Sequence, residues 1–292
     1  MSDPTPPTDG PACAVVIVSY HTGPCLMDCI RSVLDEASAR EIVVVDNGNP
    51  EETVTDLRAL ADRDERVTLL TGHGNVGFGR ACNMGARATT SPYLLLFNPD
   101  SVLKPGTLDS ALQKLEARPN ISLYTVRIEN PDGSEQRGCR RNLMTPWTCL
   151  VEVSGLYSLG FKRINLHGTP PPSELTEVEC ISGSFLLFPR RVFEEVGGMD
   201  EDYFLHMEDV DVCYRVRKAG GHIWFDPTLS ATHVQGTSDT SGIFIEKQKT
   251  LGGALYFAKH FGGWHNPLVA FVNLALWARY ALIFMKLRAK KL

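Results

Sequence analysis

Three short runs of apolar, mostly branched residues limit the fold of this chain more than any other sequence feature. Runs that are apolar on both faces are typical of central strands in a parallel sheet, because helices cover both faces of such a sheet. The predicted strands cover residues 14–18, 41–45 and 93–97, with a further short strand at residues 67–70. Helical spacing of apolar residues lies between them, at residues 25–36, 51–63 and 78–88. The alternation predicts an α/β fold with a mostly parallel central sheet flanked by helices.

The second half of the chain has a less regular pattern. Turn residues at 130–133 predict a hairpin, residues 185–188 predict an apolar strand, and a helix is predicted to begin near Glu208. Residues 168–173 are polar and rich in proline, which excludes a helix or a central strand and predicts a mobile loop over a site. Together these features predict an α+β extension that packs on the first half.

The composition is that of a globular protein and excludes some functions. The 292 residues are 43% hydrophobic, which is enough to bury a core, and the formal net charge of −5 gives no bulk basic surface for nucleic acid. The eight cysteines include no Cys-x-x-Cys pair and lie mostly in apolar runs, which predicts reduced thiols in a cytosolic protein. Residues 1–12 lack the pattern of a signal peptide and are predicted to be a short disordered lead.

Polar residues follow three of the predicted strands at the point where each strand ends. They are Ser19 and Tyr20, Asp46 and Asn47, and Asn98 and Asp100. Because ligands bind beyond the carboxyl ends of strands in open α/β sheets, these side chains are expected to share one crevice. One aspartate could accept hydrogen bonds from a base or ribose, and another could hold a divalent cation through oxygen. Each residue taken alone is equally well explained as a helix cap or a turn.

Residues 74–85 are rich in glycine and begin a predicted helix. They match neither the G-x-G-x-x-G dinucleotide pattern after the first strand nor a Walker loop, so neither a dehydrogenase nor an NTPase is favoured. Glycine permits close approach of the backbone to a ligand. Arg80, in the first turn of the helix, could reach an anionic ligand near the helix N-terminus.

Residues 197–211 contain six acidic residues before and at the start of a predicted helix. Acidic residues in a first helical turn are stabilising whatever the function. Capping or solvation is therefore the interpretation for Asp200, Glu201, Asp202 and Asp211. Glu208 and Asp209 differ, because an apolar and aromatic run precedes them and would partly bury them. A partly buried carboxylate beside another has a raised pKa, as a general base requires.

His233 follows a predicted strand at residues 223–225. A lone histidine is more often structural than a ligand. Together with Asp100, however, it would complete a mixed oxygen and nitrogen site for Mg²⁺ or Mn²⁺.

The order of these motifs resembles that of the family 2 glycosyltransferases, which have a GT-A fold, and most closely that of bacterial rhamnosyltransferase-type members. The resemblance covers roughly residues 13–235. It rests on Ser19-Tyr20, Asp46-Asn47, Asn75-x-Gly-Phe, Asn98-Pro99-Asp100, Gly197-Gly198-Met199-Asp200 and Glu208-Asp209-Val210-Asp211. An ordered set of motifs is far more specific than any single one.

The resemblance implies roles for the residues of the donor site. Ser19, Tyr20 and Asp46 would hold the nucleoside of a nucleotide-sugar. Asn75 and Arg80 would contact the nucleotide region.

The resemblance also implies a metal site and a general base. Asp100 would bind the divalent cation, Mg²⁺ or Mn²⁺, that accompanies the diphosphate, with His233 as a further metal contact. Asp209 would be the general base, with Glu208 beside it. The usual metal motif of the family is Asp-x-Asp, whereas Asn98 stands at its first position here and removes one negative charge from the cation site.

The implied function is an inverting, metal-dependent transfer of a sugar from a nucleoside-diphosphate donor to a saccharide acceptor in cell-surface polysaccharide synthesis. dTDP-rhamnose is the first choice of donor and UDP-sugars are the second. Residues 13–105 would form the nucleotide-sugar-binding half, residues 106–240 the acceptor-side and catalytic half, and residues 241–292 C-terminal helices. A non-catalytic nucleotide- or glycan-binding scaffold is one alternative. A sugar nucleotidyltransferase is another, disfavoured because residues 19–24 contain neither Lys nor Arg.

The C-terminal segment contains an apolar run at residues 268–285 that approaches the length of a membrane span. Asn273 and Arg279 interrupt it, which favours an amphipathic helix over a spanning one. Trp277, Tyr280 and the basic terminus suit a helix at an anionic membrane surface. The expected location is the inner face of the cell membrane, with a lipid-linked saccharide as acceptor. The alternative is a helix docked on the domain or in a dimer interface.

Overall fold

A computed structural model describes residues 10–234, 236 and 240–289. Most of the predicted disordered lead and the last three residues of the basic terminus lie outside these described residues.

The first half of the fold is a series of parallel strands joined by helices. The strands are β1 (Cys13–Ser19), β2 (Ala39–Asp46), β3 (Val67–Leu70) and β4 (Tyr93–Phe97), and the helices are α1 (Cys25–Leu34), α2 (Glu51–Ala61) and α3 (Phe78–Arg87). They confirm the elements predicted here. The strands lie in the order β3-β2-β1-β4 and are all parallel, and Ser19 pairs with Asp46 where β1 and β2 end. The polar residues that follow these strands therefore begin at one edge of the sheet.

The second half adds shorter elements and makes the sheet mixed. Its strands are β5 (Ser101–Leu103), β6 (Ile121–Glu129), β7 (Arg140–Arg141), β8 (Thr176–Val178), β9 (Cys180–Ile181), β10 (Phe185–Pro189) and β11 (His222–His233). Its helices are α4 (Thr107–Glu116), α5 (Pro146–Ser154), α6 (Arg190–Glu195), α7 (Glu208–Lys218), α8 (Gly242–Phe261) and α9 (Pro267–Ala289). Antiparallel β10 lies between β4 and β6, β11 runs parallel to β6, and β5 and β8 are antiparallel to β11. The parallel arrangement is thus confined to the first half and the β6–β11 pair.

Both faces of β1 are buried, as expected for a strand with helices on either side. Val15 and Ile17 pack into one core with residues of α1 and α4, whereas Val16 and Val18 pack into a second core with residues of α3 and α7. The alternation of consecutive side chains between two cores explains why the run contains no polar residue.

Helix α3 lies unusually close to β1. A Cβ added at Gly85 would lie 2.4 Å from Cγ1 of Val16, so glycine is needed for this approach. The close packing fixes the glycine-rich segment that precedes α3 against the edge of the sheet where β1 ends.

The predicted turn at residues 130–133 is present. The Gly133 amide donates to the Asn130 carbonyl oxygen at 2.9 Å, and the Asn130 amide donates to the Ser134 carbonyl oxygen at 2.9 Å. The proline-rich segment at residues 168–173 is an irregular, largely exposed loop, as predicted. Its Thr169 carbonyl oxygen accepts a hydrogen bond of 2.6 Å from Arg140.

The cysteines have the environment predicted for reduced thiols. All eight are free, and only Cys25 and Cys149 are partly exposed while the others are buried. Burial raises the pKa of several of them, including Cys13, Cys29 and Cys82, which makes these thiols unreactive.

The C-terminal helices α8 and α9 form an antiparallel pair, with Arg279 bound to Glu246 at 2.6 Å. Val269, Val272 and Asn273 of α9 are buried against the protein. The opposite side of α9 exposes large apolar side chains, namely Phe271, Leu274, Trp277, Leu282 and Met285. The helix is therefore apolar on both sides rather than amphipathic, because its inward face serves the protein core and its outward face is not polar. By length and composition alone, α9 is long and apolar enough to cross a membrane.

Candidate active site

A cleft of about 700 Å³ opens at the edge of the sheet where β1 and β4 end. Residues from both halves of the fold line it, among them Tyr20, Asn47, Asn75, Asn98, Asp100, Ser184, Phe204, Glu208, Asp209, His233 and Phe244. The convergence of strand-end residues expected from the sequence is thus observed for Tyr20, Asn98 and Asp100. None of the residues that line the cleft belongs to the proline-rich loop, so that loop does not cover this site.

Asp100 and His233 lie against each other at one side of the cleft. His233 is the last residue of β11 rather than a residue after a strand, and its pairing opposite Ser101 of β5 brings it beside Asp100. The His233 Nε2 atom is 2.9 Å from Oδ1 of Asp100, and the Asn98 Nδ2 atom is 3.4 Å from the same Nε2. Both His233 and Asp100 are more than nine-tenths buried.

The other ring nitrogen of His233 is held from behind. Its Nδ1 lies 2.7 Å from Oε1 of Gln136 and 3.0 Å from Oγ of Ser184. The Gln136 amide also donates to the His233 carbonyl oxygen at 3.2 Å. Because Oε1 of Gln136 can only accept, Nδ1 carries a proton, and Nε2 is the ring nitrogen that faces Asp100.

The acidic pair Glu208–Asp209 lies at the N-terminus of α7, after a strained turn. His206 and Met207 have φ angles of 67° and 77°, which are uncommon for residues other than glycine. Helix α8 supports this turn closely, because a Cβ added at Gly252 would lie 2.8 Å from the His206 carbonyl oxygen. The strain is thus imposed by packing from the C-terminal part of the chain.

Asp209 is held as an ion. Its Oδ2 is bound by the Arg141 guanidinium and accepts a hydrogen bond of 3.2 Å from the Gly183 amide, and its Oδ1 accepts one of 2.8 Å from the Val210 amide. Burial alone would raise the pKa of Asp209, but the charge and hydrogen bond of Arg141 outweigh it, and the pKa lies below its ordinary value. The carboxylate is therefore negatively charged at neutral pH.

Glu208 has the opposite character. It is buried, and its Oε2 atom has no hydrogen-bond partner among the described residues. Burial, and then the negative charge of Asp209, raise the pKa of Glu208 to about 8, so most of it is protonated at pH 7. The raised pKa expected for the acidic pair thus belongs to Glu208 and not to Asp209, because Arg141 hydrogen-bonds Asp209 directly, whereas its charge alone does not offset the burial of Glu208.

The glycine-rich segment forms another wall of the cleft. The Asn75 side chain accepts a hydrogen bond of 3.0 Å from the Gly77 amide, and the Asn47 side chain donates one of 3.3 Å to the Gly77 carbonyl oxygen. Gly77 has a φ angle of 88°, and an added Cβ would lie 2.9 Å from the Phe204 carbonyl oxygen. Glycine at this position lets the segment approach Phe204, which also lines the cleft.

Sequence comparison decides the family. Residues 14–197, more than half of the chain, match the sequence profile of Glycosyl transferase family 2. The chain belongs to this family. The transferase is 29% identical to N-acetylglucosaminyl-diphospho-decaprenol L-rhamnosyltransferase of Mycobacterium tuberculosis, over 87% of each chain. It is 24% identical to rhamnosyltransferase WbbL of Escherichia coli (strain K12), over 75% of this chain and 82% of the relative.

Solved structures support the fold. The mannosyltransferase PcManGT from Pyrobaculum calidifontis, in complex with GDP-Man and Mn²⁺, matches with a TM-score of 0.59 at 16% identity, over 97% of this chain and 81% of that one. GalNAc-T7, solved with UDP, GalNAc and Mn²⁺, matches with a TM-score of 0.61 at 16% identity, over 84% of this chain and 48% of that one. The predicted GT-A type of α/β fold and the predicted glycosyltransferase activity are confirmed.

Three residues predicted for the donor site do not line the cleft of the transferase. Ser19 is fully buried, and its hydroxyl bonds to Thr22 Oγ1 and Asn49 Oδ1 at 3.0 Å each. Arg80 forms an ion pair of 3.0 Å with Glu201 and is not among the residues that line the cleft. The structure gives both Ser19 and Arg80 protein partners, and their contact with the nucleotide stays a prediction.

Asp46 is the third of these residues. Its Oδ1 accepts hydrogen bonds from the Gly48 and Asn49 amides at 3.0 and 2.8 Å, and its Oδ2 accepts one from Thr71 at 2.6 Å. Although burial acts to raise the pKa of Asp46, these hydrogen bonds lower it below its ordinary value. Asp46 shapes the loop after β2, and it is the next residue, Asn47, that reaches the cleft.

Four residues from the middle of the chain hold the side chains of the site in place, and none of them was predicted from the sequence. Arg141 binds the proposed base, and Gln136 holds the ring of His233. The Gly183 amide donates a hydrogen bond to Asp209, and the Ser184 hydroxyl is hydrogen-bonded to the ring of His233. No local pattern marks them, because their roles depend on pairing between strands that are distant in sequence.

Proposed function

We propose that this transferase moves a sugar, with rhamnose favoured, from a nucleoside-diphosphate donor to a lipid-linked saccharide with inversion of the anomeric configuration. The observation that carries the proposal is the shared cleft, which contains an ionised carboxylate at Asp209 and the Asp100–His233 pair. Two relatives that match three quarters or more of the chain are rhamnosyltransferases, and one of them is named for a diphospho-decaprenol acceptor. dTDP-rhamnose is therefore the first donor to test and UDP-sugars are the second.

Asp100 and His233 fit a divalent cation. Their facing atoms, Nε2 of His233 and Oδ1 of Asp100, lie 2.9 Å apart in the cleft, and imidazole nitrogen and carboxylate oxygen are both ligands of such cations. Gln136 supports the neutral tautomer that metal binding requires. No group of three or more His, Cys, Asp or Glu that could hold a metal ion occurs in the described ranges, so the cation would also need phosphate oxygens and water as ligands. When bound, the cation would neutralise negative charge on the departing diphosphate.

Asp209 is the proposed general base. Its ionised carboxylate would accept the proton of an acceptor hydroxyl as that oxygen attacks the anomeric carbon from the face opposite the diphosphate. One new C–O bond forms while the bond to the diphosphate breaks, so the configuration inverts. Glu208 beside it also lines the cleft, and its buried Oε2 has no partner in the described part of the chain, so the protonated carboxyl would have a hydrogen-bond donor available next to the base.

The first test is a transfer assay with defined donors and acceptor. We expect sugar transfer from dTDP-rhamnose or a UDP-sugar to N-acetylglucosaminyl-diphospho-prenol in the presence of Mn²⁺ or Mg²⁺, and its loss with chelator. The anomeric configuration of the product, read by NMR, is expected to be opposite to that of the donor. Retained configuration would contradict the single displacement. Absence of transfer, hydrolysis and nucleotide binding for every donor would instead favour a non-catalytic scaffold.

Helix α9 is the proposed membrane contact. Its outward face combines exposed Leu274, Leu282 and Met285 with the exposed cations Lys286 and Arg288 at its C-terminal end. Apolar side chains beside basic residues bind the boundary of an anionic bilayer. Such attachment at the cytoplasmic face would hold the cleft where a lipid-linked acceptor lies.

A triple variant tests this attachment. We expect Leu274→Gln, Leu282→Gln and Met285→Gln together to abolish co-sedimentation with vesicles of anionic phospholipid. Transfer to a water-soluble analogue of the acceptor is expected to stay within about twofold, because the substituted side chains lie outside the cleft. Vesicle binding equal to that of the wild type would exclude this face. A wild-type dimer that the variant converts to a monomer, without vesicle binding in either, would assign the face to self-association.

A further inference from the structure

Arg141 links a small sheet to the acidic pair of the active site. Strands β7 and β9 pair antiparallel, with Arg141 opposite Cys180, at a place where β9 contacts α7. The Arg141 Nη2 atom contacts Oδ2 of Asp209 and donates to the Ile181 carbonyl oxygen at 2.8 Å. Only 15% of the Arg141 side chain is exposed, and Arg141 is not among the residues that line the cleft. It therefore touches the proposed base from behind.

We propose that Arg141 is the positioning residue of Asp209: it fixes Oδ2 and leaves Oδ1 as the atom that takes the proton of the acceptor. This inference rests on the proposed role of Asp209 as general base. It assigns to Arg141 no contact with donor or acceptor.

The hydrogen bonds of the carboxylate distinguish its two oxygens. Each carboxylate oxygen has about two acceptor positions. Oδ2 uses them for Arg141 and for the Gly183 amide at 3.2 Å. Oδ1 receives one hydrogen bond, from the Val210 amide at 2.8 Å, among the hydrogen bonds of the described residues. Oδ1 thus retains a position for the acceptor hydroxyl.

Close packing leaves the carboxylate little freedom. A Cβ added at Gly183 would lie 3.3 Å from Cβ of Asp209, so the segment that follows β9 and the start of α7 approach each other tightly here. The guanidinium is planar and binds Asp209 and the Ile181 carbonyl oxygen at once, which a lysine ammonium at the end of a flexible chain reproduces poorly. Arginine at this position orients the base as well as neutralising it.

The charge of Arg141 also sets the pH at which the base is ionised. The groups around Asp209 are Glu208 beside it, the thiols of Cys180 and Cys213, and His206, whose pKa burial lowers to about 4. Arg141 is the cation that offsets the burial of Asp209 and depresses its pKa. Without that charge the pKa of Asp209 would rise, so the carboxylate would become protonated at a higher pH. The acidic limb in the pH profile of kcat/KM would therefore move to higher pH as well.

The experiment compares Arg141→Gln and Arg141→Lys with Arg140→Gln, all in the full chain. Arg140 is the preceding arginine and is buried even more fully, but it pairs with Glu135 at 2.9 Å and does not line the cleft. We expect Arg141→Gln to move the acidic limb of kcat/KM upward by at least about one pH unit, which means about tenfold lower activity on that limb. In Arg141→Lys the acidic limb of kcat/KM should lie close to its wild-type pH, because the positive charge is kept, while kcat should stay below that of the wild type. Arg140→Gln should keep the wild-type profile, and UDP or dTDP affinity should change by less than about twofold in all three.

Several outcomes would overturn the inference. An equal fractional loss of activity at every pH in Arg141→Gln would mean that Arg141 has a structural role only. A profile identical to that of the wild type would mean that it does not act on the base. Loss of nucleotide affinity would assign Arg141 to the donor instead. If Asp209→Asn itself stays active, the proposed role of Asp209 as general base fails, whereas an inactive Asp209→Asn with an unmoved Arg141→Gln profile contradicts only this inference.

Discussion

Asp209→Asn is expected to lower kcat by about 10²–10⁴-fold, the usual contribution of a general base. Asparagine keeps the size of the side chain, and its one amide oxygen can still accept from either the Gly183 or the Val210 amide, which bind different oxygens of Asp209 in the structure. It cannot accept the proton of the attacking hydroxyl, because its neutral amide is a very weak base. Donor affinity should change little, since the loss falls on the transition state rather than on nucleotide binding. Steady-state kinetics and isothermal titration with UDP or dTDP measure the two effects separately.

Glu208→Gln is the matched comparison, because it alters the neighbouring carboxyl in the same turn. Glu208 is mostly protonated at pH 7, with a pKa of about 8, so glutamine preserves its neutral charge and its capacity to donate. We expect a loss far smaller than that of Asp209→Asn. A reversed order, with Glu208→Gln nearly inactive and Asp209→Asn active, would transfer the role of base to Glu208.

The parallel half of the fold was predictable because its signals are local. A strand segment buried on both faces consists mostly of apolar residues, so the central parts of β1, β2 and β4 appear in the sequence as continuous apolar runs. The mixed order of the second half was not predictable in this way. Antiparallel β10 lies between β4 and β6 through contacts that link residues 93–97 with residues 185–189, and no local pattern encodes that distance.

The same distinction explains the outcome for the candidate site. Tyr20, Asn98 and Asp100 reach the cleft because the ends of parallel strands meet at one edge. Arg80 does not line the cleft, and its side chain forms an ion pair with Glu201, which is distant in the sequence. The Asp46 carboxylate accepts hydrogen bonds from the loop that follows β2 and from Thr71. A sequence pattern cannot distinguish such a carboxylate from a free one.

The acidic pair shows how a distant residue reverses a local argument. Burial was correctly expected to raise the pKa of a carboxylate in this segment, and it does so for Glu208. The structure adds Arg141, which hydrogen-bonds Asp209 and not Glu208, and this difference separates two adjacent carboxyls into an acid and an ion. Two neighbouring groups with separated pKa values are a common basis for distinct catalytic roles.

Asp100→Asn and His233→Ala are each expected to weaken the Mn²⁺-dependent part of nucleotide binding on the order of 100-fold or more. Loss of a residue that only supports a metal ligand costs about 10–100-fold, and loss of a ligand should cost at least as much. Asp100→Asn retains the shape of the side chain and removes its negative charge. The loss of this charge matters more here because Asn98, where the family usually has aspartate, is already neutral. Titration of UDP or dTDP with and without Mn²⁺, and with chelator, isolates the metal-dependent part.

Two further variants give this measurement its controls. His222→Ala changes a histidine of the same strand that is half exposed, pairs with Glu177 at 3.2 Å and lies outside the cleft, so metal-dependent binding should stay as in the wild type. Gln136→Leu removes the acceptor that holds Nδ1 of His233, and an intermediate loss of about 10–100-fold is expected because the ring loses its fixed tautomer. Nucleotide binding that is metal-dependent in the wild type and unchanged in Asp100→Asn and His233→Ala would remove the cation from this pair. Weaker binding that is equal with Mn²⁺ and with chelator would mean that the two residues contact the nucleotide directly.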